Sequence, residues 1–378
     1  MALETDSLIP KPAVEWKPTF TFRIIQLVTL TNVFLVGFDS SIAAIYAIIG
    51  SSFQDANNAI WISTSYFITA TSFQPLYGRF SCILGRRVCF LIATLIFMLG
   101  NLLCGVAPNM LFLNLARAFT GIGGGGLQSI ATIIMSDLVP FQIRGKYQAY
   151  QNLSYGTGCA CGAGLGAYIT QKYHWRFMFL FQVPISLFGI IFGALYIKNP
   201  SKNDDDNNDI KLSQVDLGGS FTLVIGLASL IAGLSIGGND RPWSDPLIIT
   251  FLVVSFIVLT AFCIVECKVY EPIIPPRLLH GSLAISNLST NFLSGAACMS
   301  YLFLIPLYFE AIKQEDAGTV GRRLIIPALG FPVGGLLAGY IMSTYGYLNR
   351  LVQVGEVYLL YPLTRFLTNS NFSKNKDV

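Results

Sequence analysis

Residues 117–126 read RAFTGIGGGG, and they lie inside an apolar run that extends from residue 111 to residue 134. This run is longer than the roughly 20 apolar residues that an α-helix needs to cross a lipid bilayer. Its only charged residue is Arg117, and a charge in hydrocarbon normally faces a cavity or a partner. Its glycines, which include Gly121 and Gly123, leave the backbone bare, so a neighbouring helix can approach closely. The stretch therefore predicts a transmembrane helix inside a helix bundle.

The composition indicates the same class of protein for the whole chain. Of 378 residues, 53% are hydrophobic and 12% are charged, whereas a soluble domain carries roughly 25% charged residues. This excludes an ordinary soluble domain and a disordered chain, and the net charge of +4 is too thinly spread for a nucleic-acid binder. We therefore predict an all-α polytopic membrane protein. Further apolar runs lie at residues 24–49, 60–77, 88–106, 149–169, 177–197, 217–236, 247–265, 283–309 and 324–342, with a weaker, interrupted run at residues 351–366.

The distribution of Lys and Arg predicts the orientation in the membrane. Most of these residues fall in the loops on one side of the predicted spans, the side that includes the N-terminal tail. Cytosolic loops of membrane proteins carry this excess of positive charge. The tail at residues 1–23 and the polar linker at residues 198–216 are therefore predicted to be cytosolic.

Asp39 and Arg117 are charged residues that lie well inside predicted spans. A buried carboxylate can take up a proton or hold a cation. Burial favours its neutral form, whereas a nearby guanidinium favours its charged form. This opposition predicts a group that titrates within reach of the pH on one side of the membrane. The alternative is a structural ion pair, or a hydrogen bond between Asp39 and Ser40 or Ser41.

Glycines mark a second helix, because Gly158, Gly162 and Gly166 recur at every fourth residue of the run at residues 149–169. This spacing places bare backbone along one face of the helix. Two interpretations stay open for these glycines and for the run at residues 123–126. They form a static tight contact, or they allow the helices to bend and move during a conformational change.

A short basic loop is predicted at residues 78–87, which read GRFSCILGRR. Gly78 and Gly85 bracket a tight cytosolic turn. Arg86 and Arg87 then lie at a membrane face that bears anionic lipid. The alternative is a plain positively charged anchor.

Together these features resemble the major facilitator superfamily. Residues 78–87 resemble its GxLaDrxGrR loop motif, and residues 117–123 resemble its RxxxGxG helix motif. Residues 158–166 resemble the GxxxGPxxGG antiporter motif, and FDSSI at residues 38–42 resembles the LDxTIv motif of the fourteen-span drug:proton antiporters. The resemblance extends over residues 22–355.

Within that branch the chain most resembles the fungal vacuolar basic amino acid transporters, through QPLYG at residues 74–78 and ETDSLIP at residues 4–10. The second stretch is similar to an acidic dileucine sorting signal, in which Glu4, Leu8 and Ile9 would bind a sorting adaptor. The resemblance implies a cytosolic tail (1–23), an N-terminal six-helix bundle (24–197), a cytosolic linker (198–216), two extra central spans (217–266) and a partial C-terminal bundle (283–378).

The chain departs from the family pattern in two places. Cys82 stands where the loop motif has an acidic residue, which in the family ties the two bundles together. A thiol is largely uncharged at neutral pH, so it cannot replace that carboxylate. The resemblance also fades after residue 355, so the C-terminal bundle is predicted to be incomplete. A truncated gene product or an incorrect reading of a longer gene would account for this.

The resemblance implies a proton-coupled antiporter of small cationic solutes, with basic amino acids entering the vacuole as the favoured case. Asp39 would carry the proton or bind the substrate, and Arg117 would tune how readily Asp39 takes up a proton. Arg86 and Arg87 would anchor a gating loop, and the glycines would allow the conformational change.

Two alternatives to this function remain. One is a plasma-membrane multidrug or siderophore exporter, and the other is a non-transporting remnant or a membrane sensor. An enzyme is least expected, because the sequence shows no nucleophile–base set. No cofactor is expected either, and a sequence with two histidines and no Cys-x-x-Cys pair predicts no metal site.

Overall fold

The computed structural model describes residues 16–40, 42, 45–55, 58–140, 143–199, 217–238 and 241–269, with scattered positions between 281 and 337. The chain divides into two compact units. One is Ala13–Pro276, and the other is Met1–Pro12 together with Arg277–Val378. The predicted sorting signal at residues 4–10, most of the linker and nearly all of the predicted C-terminal bundle lie outside the described residues.

The first unit is built from α-helices, and the described residues form no β-strand. In chain order the helices are α1 (Phe20–Ser40), α2 (Tyr46–Ser52), α3 (Trp61–Leu84), α4 (Arg86–Gly105), α5 (Met110–Leu138), α6 (Arg144–Tyr173), α7 (Phe177–Leu180), α8 (Gln182–Tyr196), α9 (Leu217–Ile236) and α10 (Pro246–Glu266).

Six helical segments among the described residues are long and apolar enough to cross a membrane. They are Phe20–Ser40, Arg86–Gly105, Met110–Leu138, Phe177–Tyr196, Gly218–Ile236 and Pro246–Glu266. Helices α3 and α6 have 24 and 30 residues, which is also long enough to span, but they are richer in small and polar residues. The outer faces carry exposed Leu115, Phe188 and Phe256, as a lipid-facing surface does. The prediction of an all-α polytopic membrane protein is confirmed.

Helix α5 is the centre of the packing, since it contacts both α3 and α4 extensively, while α1 packs against α6. One apolar core contains Phe90 and Leu127, and a second contains Ile42, Ile62 and Met178. Lipid tails are as apolar as these side chains, so close packing and interhelical hydrogen bonds hold such helices together. This is why small residues line the contacts of α5.

The prediction of a single helix over residues 24–49 is wrong, because α1 ends at Ser40 and a separate helix, α2, begins at Tyr46. The last turn of α1 leaves carbonyl groups without helical partners. One of them, the Asp39 carbonyl, accepts a hydrogen bond from the Arg117 side chain at 3.5 Å. A contact from a distant helix therefore accompanies the end of α1.

The run predicted at residues 177–197 corresponds to one spanning segment, Phe177–Tyr196, in which Phe181 alone separates α7 from α8. Pro184 lies in the first turn of α8 and has no N–H to donate to a carbonyl of the preceding turn. Gln182 is the first residue of α8, and its side chain is buried.

Helices α9 and α10 pack against each other, and α9 also contacts α3, where Leu223 meets Leu76. The Ser255 hydroxyl donates to the Gly226 carbonyl across the pair, at 3.0 Å. Asp245 caps α10 by accepting from the Leu247 N–H at 2.9 Å, and this bond lowers the pKa of Asp245.

Candidate functional site

Asp39 of α1 and Arg117 of α5 form an ion pair inside the helix bundle. Arg117 Nη1 lies 2.6 Å from Asp39 Oδ2. The Arg117 side chain is 1% exposed and the Asp39 side chain is 0% exposed. Of the alternatives open at the sequence level, Ser40 does not bind the carboxylate, because its hydroxyl donates to the Gly37 carbonyl at 2.7 Å. Ser41 lies outside the described residues. Removal of one partner from such a pair would leave an uncompensated buried charge.

The Arg117 guanidinium is held in place by backbone and aromatic groups as well. Its Nε donates to the Ile62 carbonyl at 3.0 Å, near the start of α3, and its Nη2 reaches the Asp39 carbonyl at the end of α1. The negative end of the α1 dipole favours a cation at this position. The ring of Tyr66 lies 4.4 Å from the guanidinium carbon, which adds a cation–π contact. Arg117 thus connects α1, α3 and α5.

Gln182 is a third member of this site, and its role was not predicted from the sequence. Its Nε2 lies 3.4 Å from Asp39 Oδ1 and 2.9 Å from the Met178 carbonyl. The side chain is fully buried. A polar residue at the start of an apolar run was the available signal, but spacing alone does not show which carboxylate it meets.

A line of buried polar side chains leads from this site toward the end of the bundle where α1 begins. On α8 it contains Gln182 and Ser186, and on α1 it contains Asn32, which lies against Gly189 of α8. Farther along, Gln151 Nε2 of α6 lies 3.5 Å from the Thr29 hydroxyl. In the described part of the chain, four buried oxygens of this line have no hydrogen-bond partner: Asn32 Oδ1, Gln151 Oε1, Gln182 Oε1 and Ser186 Oγ.

These unpartnered oxygens have a chemical consequence. A buried acceptor without a donor costs about 1–3 kcal/mol, and native proteins usually satisfy it, often with ordered water. From Thr29 to Asp39 the line covers about 15 Å of helix α1 at the usual rise per residue. The arrangement therefore places a row of polar groups between the buried carboxyl group and the middle of α1.

The glycines of α5 are packed tightly on two sides. A Cβ on Gly121 would overlap the Tyr66 carbonyl of α3, and a Cβ on Gly125 would overlap the Ala70 carbonyl. On the opposite side, a Cβ on Gly123 would lie 2.7 Å from the Ala93 carbonyl of α4. Helix α5 continues without interruption through this run. The geometry is that of a close contact, and a role in movement stays a prediction.

The glycines of α6 lie in one continuous helix as well. Gly158 packs against the Phe34 carbonyl of α1, and Gly37 of α1 packs in return against the Tyr155 carbonyl. Gly162 is buried and Gly166 lies in the next turn of α6. Gly37 was not singled out from the sequence, since one glycine in a span carries little signal by itself.

The predicted basic loop has a different form in the structure. Residues 78–84 belong to helix α3, so the interpretation of Gly78 as one bracket of a turn is wrong. Gly85 alone connects α3 to α4, with a φ of 86° that L-residues with side chains rarely adopt. Cys82 is exposed, and its thiol donates to the Gly78 carbonyl at 3.6 Å.

The arginines of this segment have specific partners. Arg86 Nε lies 2.9 Å from Asp137 Oδ2, at the end of α5, and its Nη1 donates to the Ser81 carbonyl at 3.1 Å. The Arg87 backbone N–H donates to Asn199 Oδ1 at 3.0 Å. Asp137 was not identified from the sequence, although it lies three residues after the apolar run at residues 111–134, on the same predicted side as Arg86. The segment thus ties α4 to the ends of α5 and α8.

We expect the substitution Gly85→Ala to destabilise the protein by at least about 1–3 kcal/mol, because φ 86° with ψ 154° is a backbone conformation that essentially only glycine adopts. The new Cβ would also lie 2.6 Å from the Asn199 side chain. Thermal unfolding of the purified protein measures the loss. The double variant Gly85→Ala with Asn199→Ala removes the overlap and keeps the backbone strain, so part of the loss should remain. An unchanged melting temperature for Gly85→Ala would contradict this account.

Comparison with known proteins agrees with this architecture. The model of the Major Facilitator Superfamily matches residues 29–373. A vacuolar basic amino acid transporter of Saccharomyces cerevisiae is 41% identical over 304 residues, which are 78% of this chain and 64% of that protein. A multidrug resistance protein of Schizosaccharomyces pombe is 37% identical over 341 residues, or 90% of this chain and 64% of that protein.

A solved structure of the proton:xylose symporter XylE from E. coli has a TM-score of 0.56 and 15% identity, and the match covers 85% of this chain and 69% of that one. At this identity the likeness concerns the fold alone. The chain spans less than two thirds of the length of the two fungal relatives. The family model matches most of the chain, and the structure describes a bundle of membrane-spanning helices. The chain therefore belongs to the Major Facilitator Superfamily.

Proposed function

We propose that this protein takes part in proton-coupled antiport of small cationic solutes, and that basic amino acids entering the vacuole are its substrates. The observation that carries the proposal is the buried ion pair between Asp39 and Arg117. Ionisable groups inside a membrane protein commonly belong to substrate sites or proton relays.

The chemistry of the pair accounts for coupling. An ionised Asp39 balances Arg117 and accepts from Gln182. When Asp39 takes up a proton, Arg117 keeps a buried charge without its counter-ion, and this costs several kcal/mol unless the surroundings change. Protonation therefore favours a second arrangement of the helices. A cationic substrate bound near Asp39 favours the ionised form, so proton and substrate oppose each other, as antiport requires.

The substrate class is inferred from relatives. The vacuolar basic amino acid transporter of Saccharomyces cerevisiae is 41% identical in the matched region, which supports a cationic amino acid. The multidrug resistance protein of Schizosaccharomyces pombe, at 37% identity, supports export of drugs as the second candidate. Both relatives are longer than this chain, so transport by the 378 residues is itself part of the proposal.

We also propose a vacuolar membrane location, with the N-terminal tail in the cytosol. The support is the predominance of Lys and Arg on the tail side and the sequence at Glu4, Leu8 and Ile9, which would bind a sorting adaptor. Basic amino acids would then move from the cytosol into an acidic lumen as protons move outward.

Vesicles of vacuolar membrane that contain the protein should accumulate labelled lysine, arginine or histidine when their interior is acidic. Asp39→Asn should reduce this uptake to background, at least about a hundredfold below the parent, because the amide neither ionises nor takes up the proton. The measurement is the initial rate of uptake with and without an uncoupler. Asn152→Gln, an exposed amide change on α6, serves as the matched control and should retain uptake.

Three results would contradict parts of this proposal. Export of a cationic dye without amino acid uptake would favour the multidrug candidate. Uptake by Asp39→Asn equal to that of the parent would remove Asp39 from the coupling step. No transport of either class by a correctly folded chain would favour the non-transporting alternative.

A further inference from the structure

The end of helix α10 carries two exposed cysteines. Cys263 lies in the last turn of α10 and Cys267 follows directly after the helix, and both are free thiols. The Cys267 N–H donates to the Cys263 carbonyl at 3.2 Å, so the backbone keeps its helical form and the two side chains lie on one face. Neither the transport proposal nor the motifs shared with the family use these thiols.

The same face of α10 forms one wall of a groove of about 370 Å³ between α9 and α10. Cys263 lines the end of the groove that is nearest to Cys267. The other apolar lining residues are Leu230 of α9 and Leu252, Phe256 and Leu259 of α10. Because Phe256 is 75% exposed, the groove opens to the outer, lipid-facing surface of the helix pair.

The groove has the dimensions and the polarity that suit an acyl chain. Two hydroxyl side chains line it, and both donate to backbone carbonyls, Ser255 to Gly226 at 3.0 Å and Thr260 to Phe256 at 2.7 Å. The wall is otherwise hydrocarbon, apart from the Cys263 thiol. From Cys267 back to Leu252 the face extends over fifteen residues, or about 22 Å at the usual rise per residue. An extended long-chain fatty acid is of similar length.

Helix α10 ends on the side of the membrane that is predicted to be cytosolic. Phe262, near its end, shares an apolar cluster with Leu76 and Phe80, which lie near the end of α3. The basic segment follows α3 on this side, and Lys268 follows Cys267. An excess of positive charge marks the cytosolic side. The Cys267 thiol is therefore at the cytosolic membrane surface, where cysteines next to a span accept acyl groups.

We propose that Cys267 is S-acylated with a long-chain fatty acid, and that the acyl chain lies in the groove between α9 and α10. The thiol loses its proton, and its sulfur attacks the carbonyl carbon of a long-chain acyl-CoA, with a membrane S-acyltransferase as the catalyst. A new thioester bond forms at Cys267 as the thioester bond of the donor breaks. Coenzyme A leaves as a free thiol and carries the proton. The proposal depends on the cytosolic orientation proposed above and on no part of the transport site.

Cys82 provides a matched control on the same side. It also lies near the end of a helix and is exposed. The residue one turn before Cys82 is Arg79, whereas the residue one turn before Cys267 is the exposed Ile264. An acyl chain on Cys82 would begin beside a charged side chain, and the Cys82 thiol already donates to the Gly78 carbonyl. We therefore expect no acyl group on Cys82.

Acyl exchange on the full chain, expressed in yeast, tests the attachment site. In isolated membranes, free thiols are blocked, thioesters are cleaved with neutral hydroxylamine, and the released thiols are labelled with a maleimide mass tag. The parent should shift by one tag, and only after hydroxylamine treatment. Cys267→Ser should lose this shift, whereas Cys263→Ser and Cys82→Ser should keep it. The comparison of treated and untreated parent needs no variant, so it holds even where a substitution impairs folding.

Photocrosslinking tests the position of the chain. A fatty acid that carries a diazirine near its terminal carbon is supplied to the growing cells and becomes attached to the protein. After irradiation, mass spectrometry of the purified protein should find crosslinks in α9 and α10 around Leu230 and Leu252, which line the far part of the groove. These crosslinks should be absent from Cys267→Ser.

Three outcomes would overturn the proposal. A parent chain without a hydroxylamine-dependent shift carries no acyl group on any thiol. A shift that persists in Cys267→Ser assigns the acyl group to another cysteine. Crosslinks to lipid alone remove the groove as the position of the chain. None of these measurements involves transport, so failure of the transport proposal and failure of this one are distinguishable.

Discussion

Replacement of Arg117 by glutamine should destabilise the protein by about 3–5 kcal/mol, because it leaves the Asp39 carboxylate buried without its counter-ion. The carboxylate is 0% exposed, and among the described residues it would keep the 3.4 Å contact from Gln182. The amide also cannot reproduce the three hydrogen bonds of the guanidinium to Asp39 and Ile62. Unfolding of the purified protein in mixed detergent micelles, followed by circular dichroism, measures the change in free energy.

The double variant Asp39→Asn with Arg117→Gln provides the control. Removal of both charges avoids the uncompensated charge, so the double variant should be more stable than Arg117→Gln. The difference between the double variant and the sum of the single variants gives the coupling energy of the pair. Additive effects, or a loss below about 1 kcal/mol in Arg117→Gln, would mean that water or another group already compensates the carboxylate.

The substitution Gly123→Ala is the second change with a large expected effect. The added Cβ would lie 2.8 Å from Phe97 Cα and 2.7 Å from the Ala93 carbonyl, both in the backbone of α4. Backbone atoms cannot turn aside as a side chain does, so α4 and α5 have to separate. We expect a loss at or above the upper end of the roughly 1–3 kcal/mol that overpacking usually costs. Thermal unfolding and the yield of folded protein measure this effect.

Gly78→Ala is a matched control on a neighbouring helix. Gly78 lies within α3, and among the described residues no atom outside its own stretch of helix comes within 4 Å of a Cβ at this position. Its replacement should be neutral or should stabilise the helix by up to about 1 kcal/mol, because alanine has the higher helix propensity. Equal stability of the two variants would contradict the close contact between α4 and α5.

Much of the fold was predictable from the sequence, because span length and hydropathy are local properties. The run at residues 88–106 corresponds to α4, Arg86–Gly105, and the run at residues 247–265 corresponds to α10, Pro246–Glu266. In each case an uninterrupted apolar stretch is long enough to cross the bilayer as one helix. The class of fold follows from such stretches without knowledge of how they pack.

The interruptions were less predictable. Hydropathy predicted one helix for residues 24–49, yet α1 ends at Ser40, where the Asp39 carbonyl meets Arg117 of α5. Hydropathy also predicted a loop from Gly78, yet α3 continues to Leu84 and Gly85 alone forms the turn. Polar residues near the membrane surface are compatible with both a loop and a helix, so the pattern did not separate the two.

By itself the sequence determined that Asp39 and Arg117 are charges placed in apolar spans, since that requires only the composition around each residue. The tertiary structure alone decided which side chains these charged residues, and Arg86, contact. Asp39 meets Arg117 across 78 positions of sequence and Gln182 across 143, and Arg86 finds Asp137 across 51. Each pairing depends on which helices lie side by side and on how far each is rotated about its axis. Helix packing sets both, and the spacing of residues along one helix carries no information about the neighbouring helix.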